Sequence, residues 1–240
     1  MEPKTRETAP ESCTDHYRFW TTERAGAQVR VRLQGQFDPA PFEADLYAVE
    51  YLGNPCRKIR DGREEEDVHQ AKIHLLAYSI GEPHPGPPNA IQVRNQFTRD
   101  DWTEWRLGPA RYLMIPARKA KSGEPDPDGP PPARVDHFLC YEVLEGPAVE
   151  ERVQLIDQFG ESVVEYLRPI LFGVPVDKND EGVLHPDVHL AIYDTYPRVT
   201  PPVFFGVRTA DQLRRFELEA KEAVWLGVPS HKRWTPPDTV

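Results

Sequence analysis

Histidine is the residue type in this sequence whose spacing first suggests chemistry. His16, His74, His137 and His189 each begin an apolar segment that carries an aromatic residue four positions later. Neutral imidazoles are common metal ligands, so a metal site is one interpretation, and His185-Pro-Asp-Val-His189 has ligand-like spacing. Equivalent positions in successive repeats are spread around a structure, however, and each imidazole can instead bond a backbone group at a strand start. We therefore predict four structural histidines, with no metal and no cofactor.

The known sequence signatures of catalytic sites are missing. The chain has no G-x-S-x-G nucleophile elbow and neither a G-x-x-x-x-G-K-[ST] nor a G-x-G-x-x-G phosphate loop. Cys140 lies inside an apolar segment, where thiols are usually inert. No catalytic residue is therefore predicted.

The histidines belong to three segments that recur in the same order four times. The first segment begins with the histidine, and successive histidines are 58, 63 and 52 residues apart. The second segment carries Gln-Phe in three copies, with Val203–Thr209 taken as its degenerate fourth copy. The third segment ends in a proline that is followed three positions later by lysine. This ordered recurrence indicates a repeat architecture.

The recurring glutamines and lysines are expected to have structural roles. An amide can donate and accept hydrogen bonds together at a bend, and a lysine at a strand end easily reaches solvent, so the lysines are predicted to be exposed. These residues are Gln36, Gln96 and Gln158, and Lys58, Lys119, Lys178 and Lys232.

The local pattern within each copy predicts strands. Apolar and polar residues alternate along the second segment, as in Val31-Arg-Leu-Gln-Gly-Gln-Phe37, which is typical of a half-buried strand. The first segment is apolar on both faces and suits a sheet interior. The third segment is predicted as two strands joined by a tight turn, at Gly108-Pro109 in copy two. About four strands per copy, or roughly sixteen in all, give an all-β fold.

A proline-rich stretch divides the four copies into two pairs. Residues 122–133 lack apolar periodicity and are predicted to form an exposed, protease-sensitive linker. A single copy cannot close its own edges, whereas a pair can. We therefore expect two β-barrel or sandwich units, at residues 1–121 and 134–240, each built from two repeats of about 55 residues.

Residues that occur in a single copy are the better candidates for function, because a fold needs its repeated residues in every copy. Aromatic and arginine side chains are typical interface anchors. Trp102, Trp105, Arg106 and Arg111 are therefore predicted to bind a partner. A second group of similar composition lies near the C-terminus and consists of Phe204, Phe205, Trp225 and Trp234.

The charge distribution argues against direct binding of nucleic acid. Residues 122–240 hold 11 Lys and Arg against 21 Asp and Glu, so the whole net charge of -10 lies in this half. An acidic half repels nucleic acid, which leaves only indirect association through a complex. Residues 1–121 are neutral, and arginine supplies 13 of their 18 bases, so a local basic face for an acidic partner is open.

The sequence favours a cytoplasmic protein that does not associate with membranes. No run of 18 apolar residues occurs, and residues 1–15 lack the apolar region of a secretory signal. Cys13, Cys56 and Cys140 are widely spaced and form neither a disulfide framework nor a zinc ribbon. Reduced thiols are therefore expected.

Copy three carries a recognisable combination of motifs, His137-Phe-Leu-Cys-Tyr141, Asp157-Gln-Phe-Gly160 and Pro175-Val-Asp-Lys178. It resembles an uncharacterised bacterial β-repeat family, a domain of unknown function met mostly in secreted proteins, with the pattern H-x-x-C-Y, D-Q-F-G and C-x-P-x-x-K. The resemblance implies a fold type and no activity. Gly173 stands where the family has its second cysteine, and loss of that pair implies a reducing compartment.

Two functions remain open at this stage. The favoured one is a non-enzymatic binding or scaffold protein that docks a protein partner, as an accessory subunit of a larger complex. The alternative is a pocket-type enzyme, a cyclase or lyase, that uses the interior of a β-barrel. A deep pocket lined by unpaired polar groups would favour the enzyme, and a filled interior would favour docking.

Overall fold

The computed structural model describes residues 14–60, 63–64, 68–98, 101–131, 133–198 and 202–235. These residues form thirteen strands and a 3-10 turn at Gln96–Thr98, and they include no helix long and apolar enough to cross a membrane. The all-β prediction is confirmed. The strands are β1 (Tyr17–Gly35), β2 (Phe42–Pro55), β3 (Arg57–Arg60), β4 (Arg63–Glu64), β5 (His74–His84), β6 (Ile91–Arg94), β7 (Thr103–Ala120), β8 (His137–Glu145), β9 (Val149–Asp157), β10 (Gly160–Lys178), β11 (His189–Tyr196), β12 (Phe204–Ala210) and β13 (Arg215–Arg233).

Eight of the strands close into an antiparallel ring, with two strands from each copy. The first segments start β1, β5, β8 and β11, and the third segments form the long strands β2, β7, β10 and β13. Each of these eight pairs with the next along the chain, and β1 closes the ring on β13 through the pair Phe19 and Trp225. Closure gives every ring strand two neighbours, which removes the exposed edges that a single copy cannot cover.

The four histidines occupy equivalent positions in this ring. His16 directly precedes β1, and His74, His137 and His189 are the first residues of β5, β8 and β11. The predicted equivalence of the four copies is confirmed at these positions.

The second segments connect copies that lie two places apart. They form the second half of β1 and the strands β6, β9 and β12. Each pairs on one side with the first half of its own copy's long strand. On the other side, each pairs with the end of a third segment two copies away. The repeated lysine of that third segment lies opposite the same position of the second segment in all four cases. These opposed residues are Lys178 and Leu33, Lys232 and Val93, Lys58 and Leu155, and Lys119 and Thr209.

This register corrects the alignment of copy four. Because Thr209 takes the place of Leu33 and Val93, the counterpart of Gln-Phe is Gln212-Leu213, and the alignment on Val203–Thr209 is wrong. The cause is local: the pairing of β12 with β13 is irregular between Phe204 and Val207, where Gly206 adopts a left-handed φ of 64°. Glycine tolerates that conformation without a Cβ penalty.

Each long strand is continuous. The expected turn at Gly108-Pro109 is absent, and β7 runs unbroken from Thr103 to Ala120. Its pairing with β8 instead shifts register between Leu107 and Ala110. A bulge accepts proline because the missing N–H is not needed there.

The interior of the ring is filled by side chains. One buried cluster takes members from every first segment and from β7, β10 and β13, including Phe19, Ala77, Met114, Cys140 and Ile192. Residues on the opposite face of the same strands, such as Trp20 and Tyr141, join a second, larger cluster under the second segments. The alternation of faces along each strand therefore produces two apolar layers.

The expected division into two separate units does not match the strand pairing. Strands from 14–121 pair with strands from 134–235 in β1–β13, β1–β10, β3–β9, β7–β8, β7–β12 and β6–β13. The reason is that a pair of copies leaves two open strand edges, which the other pair covers. The described residues consequently form one sheet system, and the protease sensitivity of 122–133 stays a prediction.

Candidate functional site

The repeated histidine, lysine and glutamine meet at four junctions between neighbouring copies. Each junction joins the histidine and lysine of one copy to the glutamine of the next, and the fourth copy closes on the first. They are the first junction (His16, Lys58, Gln96), the second (His74, Lys119, Gln158), the third (His137, Lys178, Gln212) and the fourth (His189, Lys232, Gln36). The three sequence motifs are therefore parts of one structural unit.

The phenylalanine after each glutamine supports the lysine of the same junction. An ammonium within about 6 Å of an aromatic centroid is attracted by the ring face. The pairs are Lys58 and Phe97 at 4.6 Å, Lys119 and Phe159 at 4.1 Å, and Lys232 and Phe37 at 4.9 Å. In the third junction, where Leu213 replaces phenylalanine, Lys178 donates to Glu181 instead.

These contacts overturn the prediction that the four lysines are exposed. Lys58 and Lys178 are each only 1% exposed, and Lys119 and Lys232 are half-buried. The aliphatic stem of each lysine enters the junction because an aromatic face or a polar oxygen receives its ammonium group.

The aromatic residue four positions after each histidine connects to the copy two places away. Trp20 Nε1 donates to Asp157 Oδ2 at 2.6 Å, and the Tyr78 hydroxyl donates to Asp211. Asn95 Nδ2 donates to the Tyr193 hydroxyl at 3.0 Å. Copy three differs, because glycine stands at position 35 in the partner segment and the buried Tyr141 hydroxyl has no partner among the described residues.

The other three junctions differ in the groups that lie beside them. In the first, Arg60 Nη1 donates to the Gln96 carbonyl oxygen at 3.1 Å and lies 3.2 Å from Glu151 Oε2. The third borders a cavity of about 60 Å³. In the fourth, the ring of Trp234 packs edge-on against Phe37 with centroids 4.9 Å apart.

The second junction instead opens into a cleft of about 670 Å³. The position that Arg60 and Trp234 hold in the other copies is Lys121 here, two residues beyond the junction lysine. The cationic lining consists of Lys72, Arg118, Lys119 and Lys121, with Glu124 and Asp128 as the acidic members. A neighbouring cleft of about 430 Å³ shares Lys72 and Arg118 and adds Arg134 and His69.

The proline-rich segment 122–133 supplies one wall of this cleft. Pro125 and Pro127 line it, and most of the described residues of the segment are exposed, as predicted. Arg208 on β12 holds the segment, because its guanidinium donates to Asp126 and to the carbonyl oxygens of Lys121 and Glu124. The longest insertion between copies therefore lies at the junction that borders this cationic cleft.

Asn54 sets the second junction apart chemically. Its Oδ1 accepts from Lys119 Nζ at 2.6 Å and lies 3.1 Å from His74 Nδ1, while its Nδ2 donates to Asp157 Oδ2 at 3.2 Å. The other copies place isoleucine or valine immediately before the proline, at Ile115, Val174 and Val228. An amide is needed only here because it links a buried carboxylate to a lysine.

Asp157 anchors this network from the third copy. Its side chain is fully shielded from solvent, and Arg18 Nη1 lies 3.6 Å from Asp157 Oδ1. The same carboxylate accepts from the backbone N–H of Phe159 at 2.8 Å, which fixes the turn that carries the ring under Lys119. Residues from three copies thus position the Lys119 ammonium group.

Burial governs the charge states at this junction. Desolvation lowers the pKa of Lys119 to about 7, against the opposing attraction of Asp157. Desolvation, reinforced by Lys119, also holds the pKa of His74 well below its ordinary value, so that imidazole is neutral. The pKa of Lys232 in the fourth junction falls only to about 8, again through burial.

The comparison with protein families agrees with this repeat architecture. A family model described as a repeat of unknown function (DUF7450) matches residues 74–229, from the histidine of copy two to the proline of copy four. The chain belongs to this family. No curated protein and no solved structure matches this DUF7450 chain. The resemblance to an uncharacterised repeat family is therefore confirmed, whereas the bacterial origin stays a prediction.

The predicted partner-binding residues of this DUF7450 chain do not form one surface. Trp105 is fully buried, with its ring 5.8 Å from Phe172, because it faces the core on β7. It therefore cannot anchor a partner, which corrects that part of the prediction. Trp102 lies outside the core, and the guanidinium of Arg233 stacks on it at 4.0 Å.

The two predicted arginines are accessible and paired. Arg106 Nη1 lies 3.8 Å from Glu145 Oε1, and Arg111 Nε donates to Glu142 Oε1 at 2.7 Å. Both ion pairs connect β7 to β8 across the sheet surface. Exposed pairs of this kind leave the arginines available for exchange with an acidic partner at small cost.

Among the described residues, no group of three or more His, Cys, Asp or Glu side chains is placed to hold a metal ion. His189 Nδ1 contacts the Asp187 carbonyl oxygen at 3.2 Å rather than its carboxylate. Burial raises the pKa of the Cys56 and Cys140 thiols, which disfavours thiolate chemistry, and Cys13 lies outside the described residues.

Sequence analysis missed the second-junction cleft. Its parts lie far apart in the chain, at Asn54, Lys72, Lys119, Lys121 and Asp157. One signal was readable: Asn54 is the single polar residue among the four that precede the repeated proline.

Proposed function

We propose that this DUF7450 chain is a binding module that docks a protein partner by receiving an acidic segment of that partner in the second-junction cleft. The observation that carries the proposal is that several cations line the cleft at the second junction. Lys72, Arg118 and Lys121 line the cleft beside the half-buried Lys119.

Charge contrast supports an acidic ligand. The chain carries a net charge of -10, so its average electrostatic field repels acidic segments. A local basic cleft is therefore the favourable place for such a segment to bind. Carboxylates bind lysine and arginine through charge-assisted hydrogen bonds, which are stronger than neutral ones. The open form of the cleft suits an extended peptide, which adjoining grooves along Lys72 and Arg134 can accommodate.

The alternative function, a cyclase or lyase that works inside a β-barrel, has less support. It requires an open interior, and the interior of this ring is packed with side chains such as Phe19, Met114 and Ile192. The module therefore offers a surface cleft rather than an enclosed reaction chamber.

A charge-reversal experiment tests the docking proposal. A fluorescent hexaglutamate peptide is titrated against the full chain by anisotropy at low salt. Lys72→Glu combined with Lys121→Glu should weaken binding by about tenfold or more, which corresponds to about 1.4 kcal/mol. The matched control, Arg106→Glu combined with Arg111→Glu, makes the same change in charge on β7 outside the cleft.

The two variants separate the cleft from general electrostatics. Preferential loss in the cleft variant, with circular dichroism and melting temperature retained, supports the proposal. Equal loss in both variants reports only overall charge and contradicts a specific site. A greater loss of affinity in the control variant would indicate that the peptide binds at the Arg106 and Arg111 surface instead.

A further inference from the structure

Lys119 lines the second-junction cleft, and its surroundings favour the uncharged form of its amine. It is half-buried at the wall of the cleft, and the described atoms give it one hydrogen-bond acceptor, Asn54 Oδ1 at 2.6 Å. Asp157, the nearest acid of its network, is already engaged by Arg18, Trp20 and Asn54. A lysine in such surroundings is the type that proteins use as a nucleophile.

The ring of Phe159 fixes the direction of this amine. Phe204 stacks on the ring with centroids 4.3 Å apart and planes 13° apart, which occupies one face. Lys119 Nζ lies 4.1 Å from the centroid and Lys121 Nζ 5.9 Å, so both amines share the remaining face. A nucleophilic amine and a cation therefore lie side by side at the cleft.

We propose that Lys119 is a covalent binding site for small anionic aldehydes and oxo acids, whose carboxylate Lys121 and Lys72 hold while Lys119 forms an imine with the carbonyl carbon. The cleft is the one that the docking proposal uses, but this reaction needs no protein partner.

The reaction balances without a further reagent. The uncharged amine donates its electron pair to the carbonyl carbon, and the carbonyl oxygen takes up the proton that the nitrogen releases. The resulting carbinolamine loses its hydroxyl group together with the second nitrogen proton as one water molecule. A carbon–nitrogen double bond remains, and hydrolysis reverses every step.

Reductive trapping tests the assignment on the full chain. Glyoxylate or the uncharged aldehyde propanal is added with cyanoborohydride, and the labelled lysines are quantified by peptide mass spectrometry. At pH 7, Lys119 should be labelled by glyoxylate at least about tenfold faster than Lys221, whose side chain is 44% exposed, because burial lowers the pKa of Lys119 to about 7. Labelling of Lys119 should level off above about pH 7 to 8, because its amine is then already uncharged.

The role of the neighbouring cation, Lys121, is measured separately by comparing the two reagents. Lys121→Met should raise the pKa of Lys119 and slow both reagents, and it should lower the rate with glyoxylate at least about threefold more than the rate with propanal. If Lys221 is labelled faster than Lys119, so that the labelling rate follows solvent exposure, the proposal is overturned. Equal preference for propanal and glyoxylate in the native chain overturns the anion-holding part. Because no peptide is present in the trapping experiment, its result does not depend on whether hexaglutamate binds to the cleft.

Discussion

The second and fourth junctions are built from the same residue types and differ in what covers them. In the fourth, Trp234 packs on Phe37, and its ring centroid lies 5.9 Å from Lys232 Nζ. In the second, Lys121 takes the position of Trp234, and the lysine beneath it faces a cleft of about 670 Å³. One changed residue type and one inserted segment separate an aromatic contact at the fourth junction from a cationic cleft at the second.

This difference shows how a repeat protein can acquire a site without losing its fold. The histidine, lysine and glutamine hold neighbouring copies together at all four junctions, so they are required wherever the ring must close. Function is then free to develop at one junction through residues that the other copies lack, such as Asn54, Lys72 and Lys121. The four-copy comparison is therefore the natural control for each experiment.

The largest expected effect comes from the buried carboxylate that supports the second junction. Asp157→Ala leaves Arg18, which is 3% exposed, without its charge partner, and we expect a loss of about 3 to 5 kcal/mol in unfolding free energy. Asn95→Ala at the equivalent position removes a neutral amide and should cost about 1 to 3 kcal/mol. Urea denaturation measures both, and equal losses would contradict the special role of Asp157.

Exchanging the covering residues should exchange the properties of the two junctions. Trp234→Ala removes half-buried aromatic surface, and we expect a loss of about 2 kcal/mol in stability. Lys121→Trp should instead cover the second junction, leave the melting temperature near its native value and abolish hexaglutamate binding. Retained binding in a folded Lys121→Trp chain would show that the peptide binds elsewhere.

Tyr78 and Tyr141 occupy equivalent positions in the ring, and we expect their replacement by phenylalanine to have different effects on stability. Tyr78→Phe leaves the buried Asp211 without its hydroxyl donor and should cost about 1 to 3 kcal/mol. Tyr141→Phe removes a hydroxyl that has no partner among the described residues, so stability should be unchanged or raised by up to about 1 kcal/mol. Similar losses in both variants would mean that Tyr141 has an unrecognised partner.

The smallest effect concerns pH. The folded pKa of Lys119, about 7, lies below its unfolded value near 10.4, so the folded state releases a proton that the unfolded state keeps. Unfolding free energy should therefore rise between about pH 7 and pH 10, and this contribution should level off below about pH 7, where both states carry the proton. Lys119→Met should flatten this rise by about 1 to 2 kcal/mol, a value discounted because Lys119 is half-buried. An unchanged slope would contradict the lowered pKa.

The sequence was sufficient to predict whatever depends on residues close together in the chain. Alternation within segments such as Val31–Phe37 predicted strands, and the recurrence of His16, His74, His137 and His189 predicted equivalent positions. The composition of 122–133 predicted exposure. These properties follow from local periodicity and composition, which need no knowledge of the partner strands.

The pairing between copies could not be predicted from the sequence, because similar copies offer similar strand edges. Nothing in the repeat spacing distinguishes two pairs of copies from one closed ring, and the bulge in β12 concealed Gln212-Leu213 as the fourth Gln-Phe. The cleft depends on that closure, since Asn54, Lys119 and Asp157 come from three different copies. The site was therefore unpredictable for the same reason that the ring was.

Zero-length cross-linking tests the central claim most directly, namely that the second-junction cleft is the binding site. A hexaglutamate peptide, activated beforehand by a carbodiimide, is mixed with the native chain, and the lysines joined to it are located by mass spectrometry. The account predicts that the cross-links concentrate on Lys72, Lys119 and Lys121 and disappear at high salt, because the contacts are electrostatic. Cross-links concentrated on Lys221, or spread over lysines in proportion to their exposure, would contradict it.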